Sequence, residues 1–246
     1  MLLKSFLSNF HSISLSDASS VSLLNRVDQK FVFKKHRLFN LLELLVDHYD
    51  ILDVNGVKLQ DYKSLYFDTE DRFFFMQHHN DRVNRNKVRF REYVGAGLVF
   101  LEVKFKNNKG KTIKSRLRVN EIPNFLSPDQ ESYVNGIIGE EMCLESKQWI
   151  NFKRITFVDK YKKERLTIDL DLAFYNKNKS GSLQDLVIAE VKMGRSSSVS
   201  KFIRIAKECG IYPFRLSKYC VSTVYLDDSV KRNRFKEKLI MLNKLK

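Results

Sequence analysis

The residues with the most chemical content lie in short alternating runs. In Lys87-Val-Arg-Phe-Arg91 three cations alternate with Val88 and Phe90, and in Phe100-Leu-Glu-Val-Lys-Phe-Lys106 the residues Glu102, Lys104 and Lys106 alternate with Leu101, Val103 and Phe105. Successive side chains of a strand point to opposite faces, so each run has one ionic and one apolar face. The pattern recurs at Arg26, Asp28 and Lys30, at Lys114, Arg116 and Arg118, at Arg165, Thr167, Asp169 and Asp171, and at Glu190-Val-Lys192. One such strand by itself reads as a solvated sheet face. Several together, with apolar faces that amphipathic helices must cover from outside, turn their ionic faces toward each other across a closed barrel.

That placement demands an anion. Two like charges about 4 Å apart repel by roughly 4 kcal/mol at an effective dielectric of 20, and Lys30, Arg89, Arg91, Lys104, Arg116 and Arg165 would all crowd one interior. A phosphate chain removes the penalty: arginine's planar fork donates two hydrogen bonds to one phosphate, and lysine supplies a compact charge. Carboxylates among these cations either pair with them or hold a divalent metal. Glu190 is the metal candidate; Glu102 and Asp28 suit a structural ion pair at least as well as a metal, and Asp169 and Asp171 fit either role.

The elements that must position these residues follow from periodicity. The first strand starts near Asn25. Leu38, Leu41, Leu42, Leu45 and Val46 then recur at helical spacing between His36 and Tyr49. Asn55-Gly56 is a hairpin signal, and Asp68 or Thr69 is placed to cap a helix from about Arg72 to Asn80. Residues 120–148 read as a helical insertion, strands return at Trp149–Val158 and Arg165–Leu172, and beyond Ser196-Ser-Ser-Val199 a helix from about Ser200 ends at Gly210. A further short helix follows Phe214-Arg-Leu-Ser-Lys-Tyr219, and Lys231 onward is a basic amphipathic tail suited to a solvated face or an anionic surface.

The 246 residues, 43% hydrophobic and 12% aromatic, suffice for a globular core. Lysine and arginine number 44 against 29 aspartates and glutamates, a net charge of +15 that favours an anionic partner. Cys143, Cys209 and Cys220 have neither zinc nor CxxC spacing and are expected as free thiols. No apolar run is long enough to span a bilayer, and the expected location is cytoplasmic, at most peripheral at a membrane.

Taken in order, Arg26-x-Asp-x-Lys30, Ser64-Leu-Tyr-Phe-Asp-Thr69, Lys87-Val-Arg-Phe-Arg91, Leu101-Glu-Val-Lys104, Lys114-Ser-Arg116, Arg154, Arg165-x-Thr-Ile-Asp169, Glu190-Val-Lys192 and Ser217-Lys-Tyr219 resemble the VTC domain. This is the polyphosphate polymerase branch of the triphosphate tunnel metalloenzymes, a CYTH-like superfamily. The resemblance implies an α+β protein: an eight-stranded antiparallel β-barrel tunnel with helices packed outside, spanning residues 25–228. An N-terminal arm or short helix (1–24) and a basic helical tail (229–246) flank it. It further implies ATP and inorganic polyphosphate as partners, with Mn2+ or Mg2+ as cofactor, and regulation through a partner such as a membrane protein. Nucleic acid is not the expected partner.

Carried over by position, the catalytic set is Lys30, Arg89, Arg91 and Glu190, with Glu190 on the metal. Lys104, Lys114, Arg116, Arg154, Arg165, Lys192 and Lys218 would bind substrate phosphates. The chain departs from the wider superfamily at the first strand, where Arg26-x-Asp-x-Lys30 replaces Glu-x-Glu-x-Lys. Losing two glutamates favours gripping a polyphosphate over activating water. The competing expectations are a tripolyphosphate or nucleoside-triphosphate hydrolase on the same scaffold, and a non-catalytic module that only holds polyphosphate or RNA.

Overall fold

The computed structural model describes residues 2–20, 26–194 and 200–245. Asn25, the Arg26 side chain and the 196–199 serine run fall outside the described residues. Helix α1 (Leu2–Leu7), the two-residue strand β1 (Ser12–Ile13) and α2 (Leu15–Ser20) precede β2 (Arg26–Lys34), α3 (Leu38–Leu45), β3 (Tyr49–Leu52) and β4 (Gln60–Asp68). Then come α4 (Phe73–His79), β5 (Arg85–Tyr93), β6 (Leu98–Lys106), β7 (Thr112–Val119), α5 (Pro128–Ile138), β8 (Glu145–Asp159) and β9 (Glu164–Tyr175). The chain continues through β10 (Ser180–Leu183), β11 (Leu186–Gly194), α6 (Lys201–Glu208), α7 (Lys218–Leu226) and α8 (Lys236–Lys244).

Eight strands make one path in the order β2-β11-β9-β8-β4-β5-β6-β7, every neighbouring pair antiparallel. The expected strand number and direction are therefore present. Full closure is not: among the described residues no ladder joins β7 to β2. The edge of β2 is instead met by the segment before α7, where Phe214 N donates to Lys30 O at 2.7 Å and Phe31 bridges Pro213.

Local chemistry fixes the helices. Leu38, Leu41, Leu42 and Leu45 of α3 form one fully buried stripe. Ser127 and Gln130 make a reciprocal capping box at the start of α5, with Pro128 in its first turn. Ser200 caps α6 by accepting from Ile203 N, and Gly210 follows that helix with φ 63°, the left-handed conformation glycine adopts without strain. Asn55 and Gly56 both take positive φ in a tight turn closed by a Val54–Val57 bridge. The hairpin stops there, because β3 and β4 pair with different stretches of β8 instead of with each other.

Three large apolar clusters follow among the described residues. Residues of α1, α3 and α6 pack on the outer faces of β2, β8, β9 and β11, and α5 covers the outer faces of β4, β5 and β6. The third cluster is inside the curl: Ile150, Phe152, Leu172, Phe174, Leu186 and Ile188 pack against Tyr219, Cys220, Val221 and Val224 of α7. Besides the helices packed outside as expected, α7 thus fills part of the interior. The reason is compositional, since Tyr219 through Val224 are buried without interruption, as in a helix enclosed on all sides.

Candidate functional site

Beside α7 the inner face becomes ionic, and ladder register brings the sequence runs together. Lys30 lies opposite Glu190, Asp28 opposite Lys192, Arg154 opposite Asp169, Arg89 opposite Glu102 and Lys104 opposite Lys114. Lys218 joins them from the first turn of α7, placed by Ser217, whose hydroxyl caps the helix by accepting from Cys220 N.

The inner carboxylates each hold cations. Arg89 donates through Nε at 2.9 Å and Nη2 at 2.6 Å to Oε2 of Glu102, which is fully buried, and Lys114 lies against Oε1. Burial on its own would raise the Glu102 carboxyl; Arg89, Arg91, Lys114 and Lys104 overcome it and hold the group far below the carboxylate range. Arg154 grips Asp169 with two bonds, Nε to Oδ1 at 2.5 Å and Nη2 to Oδ2 at 2.7 Å, while Lys218 donates to Oδ2. Against the opposing effect of burial, Arg154 and Lys218 pull Asp169 down to about 2. Lys192 spans Glu190 Oε1 at 2.7 Å and Asp28 Oδ2 at 3.1 Å. Burial opposes ionisation of Glu190 too, but Lys30 and Lys192 keep it a carboxylate.

Other cations have no carboxylate within ion-pair reach among the described residues. Arg91 rests on Ser64 Oγ at 3.1 Å and over the rings of Tyr62 and Phe152. Lys87 donates to Ser217 Oγ at 2.9 Å and Lys30 to the Leu216 carbonyl at 3.2 Å. Arg89, burial and Arg91 together push the Lys104 ammonium well below its ordinary value. Burial, then the neighbouring Arg89, likewise lowers Arg91. Such a cluster favours a multiply charged anion against these four side chains.

The remaining residues singled out from sequence sit less centrally. Arg116 is exposed, its guanidinium 5.0 Å from the Phe100 ring centre. Arg165 donates from Nη2 to the Ala18 carbonyl and ties α2 to β9. Asp171 leaves the inner set: it sits at φ 53° beside a register break and accepts from Lys35 at 2.5 Å. Tyr66 was not singled out. Its hydroxyl accepts from Arg89 Nη1 at 2.7 Å, and its ring stacks on Tyr219 at 4.9 Å. Asp68, expected as a helix cap, accepts from Phe74 N and Phe75 N and from the Tyr219 hydroxyl. The Ser64-Leu-Tyr-Phe-Asp-Thr69 run held Ser64, Tyr66 and Asp68, but only the folded register shows that Tyr66 props Arg89.

No group of three or more histidine, cysteine, aspartate or glutamate side chains gathers among the described residues to cage a metal. Glu102 and Asp169 have both oxygens engaged by cations, whereas Lys192 engages only Oε1 of Glu190. One ionised carboxylate suits Mg2+ or Mn2+ that takes its other ligands from phosphate and water. Glu190 therefore fits a metal brought with a phosphate substrate.

Comparison with known proteins follows this geometry. A model of the VTC domain matches residues 25–227. Similar solved structures include the PH1819 protein from Pyrococcus horikoshii OT3, 12% identical with TM-score 0.46, over 81% of this chain and 99% of that one. Another is a Hippeastrum protein described as the putative adenylyl cyclase HpAC1 with a dominant triphosphatase activity, 14% identical with TM-score 0.47, over 82% of this chain and 96% of that one. No curated protein matches the sequence. With its ordered basic motifs inside the matched span, this chain belongs to the VTC domain family.

Proposed function

We propose that the chain is a polyphosphate polymerase that transfers the γ-phosphoryl group of ATP to the end of a growing inorganic polyphosphate. Phosphoryl transfer needs positioning and charge stabilisation more than covalent help. The observation that carries the reading is the group of Lys30, Lys87, Arg91 and Lys104, which face the same interior with no carboxylate within ion-pair contact among the described residues. Carboxylates elsewhere on this face are already neutralised, so a polyanion meets attraction and little repulsion.

A terminal phosphate oxygen of the chain attacks the γ-phosphorus, the bond to the bridging oxygen breaks, and its electron pair leaves on ADP. The attacking oxygen is already ionised at neutral pH, so no strong general base is needed. Repulsion between donor and acceptor is the barrier, and Arg89, Arg91 and Lys104 lower it by bearing on the equatorial oxygens. Glu102 and Tyr66 hold Arg89 in place. A divalent ion on Glu190 would supply further neutralisation of the donor's phosphate oxygens. The test is incubation with ATP and Mn2+, followed by gel separation of products. Long chains with stoichiometric ADP are expected. Orthophosphate without chains would instead assign a hydrolase, and binding without turnover a holding module.

A further inference from the structure

Four aromatic rings run side by side across β6, β5, β4 and β8 at one end of the ionic cluster. Phe100 meets Tyr93 edge-on at 6.0 Å, Tyr93 meets Tyr62 edge-on at 5.0 Å, and Tyr62 stacks on Phe152 at 5.2 Å and 16°. The inner two are buried and their role is plain. Arg91 and Arg154 both lie over Tyr62 and Phe152 at 5.0–5.4 Å, and Lys218 lies 4.7 Å from the Phe152 ring centre. These rings brace the cations through their π faces.

The outer two are different. Tyr93 and Phe100 are only half-buried. They stand at the rim, since Tyr93 is the last residue of β5 and Phe100 faces Arg91 just beyond the Val94–Ala96 turn. Over Phe100 lies Arg116, an exposed cation with no ion-pair partner among the described residues. Inorganic polyphosphate offers only charge and oxygen, so half-exposed hydrocarbon at the rim gains nothing from it. A nucleoside triphosphate carries both parts: a flat π system at one end and a triphosphate at the other.

We infer that Tyr93 and Phe100, with Arg116 beside them, seat the base of a nucleoside triphosphate whose phosphates run inward along Arg91 and Arg89. Two residues of strand advance about 7 Å, which leaves space for a ribose between the rim ring and the first arginine. The rim makes the site discriminate a nucleoside triphosphate from bare tripolyphosphate. Stacking tolerates any base, because every base has a π face, so ATP and GTP should bind alike. The inference rests on the phosphate-binding reading above.

Calorimetric titration of the full chain with ATP and with tripolyphosphate, at equal free Mg2+, tests it. The double variant Tyr93→Leu, Phe100→Leu should lose about tenfold or more in ATP affinity while keeping tripolyphosphate affinity within about twofold, which also reports an intact fold. Tyr93→Phe should bind ATP as the parent does. Unchanged ATP affinity in the double variant, or equal losses for both ligands, would overturn the base seat while leaving phosphate binding intact. Failure of the parent chain to bind either ligand would remove the phosphate reading beneath it.

Discussion

The inner face of the sheet has two regions built on the same strands. Around α7, the positions Ile150, Phe152, Leu172, Phe174, Leu186 and Ile188 are apolar and pack against helix side chains. Further along the same faces, two residues on in β8 and β11 and three in β9 across its bulge, Arg154, Glu190 and Asp169 take over, and the neighbours become Lys30, Lys192 and Lys218. The backbone pairing is alike in both regions; what differs is what completes the packing. Where the chain supplies its own helix, hydrophobic burial holds the sheet. Where it supplies excess cations, folding stores repulsion that an anion releases.

That contrast can be broken most forcefully in the apolar region. Phe174→Ala removes a ring that is 1% exposed and should cost about 3–5 kcal/mol of stability, measured by urea unfolding. The tripolyphosphate affinity of the molecules still folded should stay near the parent's. Glu102→Gln takes away the carboxylate between Arg89 and Lys114 and leaves buried cations uncompensated, an expected loss of about 3 kcal/mol. Unlike the Phe174 lesion, this one should be largely restored by added tripolyphosphate. If the anion gives no greater thermal shift to Glu102→Gln than to the parent, the stored-repulsion account fails.

Arg91→Ala sharpens the comparison from the other side. Turnover should fall by about 100-fold, with thermal stability unchanged or slightly raised, because a buried cation without a carboxylate partner has gone. A steep drop in melting temperature would instead make Arg91 a structural residue.

The pH dependence has one sign, in separate pH windows. Asp169, held at about 2, and Glu102 and Glu190, held well below the usual range, are ionised in the fold at pH values where the unfolded chain takes up protons. Their contribution is complete above the ordinary carboxylate range and is lost as pH falls from about 4.5 toward 2. Lys104 acts in the same direction at higher pH, its lowered value meaning that the fold binds its proton less readily than the unfolded chain. Stability should rise as pH climbs toward the ordinary lysine value, and Lys104→Met should flatten that rise in a series of melting temperatures. A separate effect is expected at His78, pushed down to about 2 chiefly by burial and stacked on Phe235 near α8. Stability should decline below pH 6.5, and His78→Phe should remove that slope.

Much of this was legible because period-two alternation survives in an ionic strand. Lys87 to Arg91, Leu101 to Lys104 and Glu190 to Lys192 could be assigned inner and outer faces without coordinates. Asp171 could not, because a bulge shifts the register of β8 against β9 between Asn151 and Lys153 and turns Leu172 and Phe174 inward. Alternation carries no mark of an inserted residue. The interior position of α7 was readable in principle from Tyr219-Cys-Val-Ser-Thr-Val224, which has no charged side. Tyr66 was beyond reach: its value lies in a bond to Arg89 and a stack on Tyr219, and both depend on neighbours distant in sequence.

The unclosed seam has a consequence for how copies of the chain behave toward one another. A sheet with two ends offers two templates for strand addition. At β2 the template is spoiled from within, because Phe31 meets Pro213, which has no N–H to extend a ladder. At β7 no strand of the described residues covers the outer edge, and Ile113 and Leu117 are exposed beside it. There Lys114, Arg116 and Arg118 act as gatekeepers, since two such edges approaching each other bring like charges together. The cations expected to favour a phosphate chain thus also oppose pairing of two β7 edges, an opposition that a polyanion neutralising them would weaken.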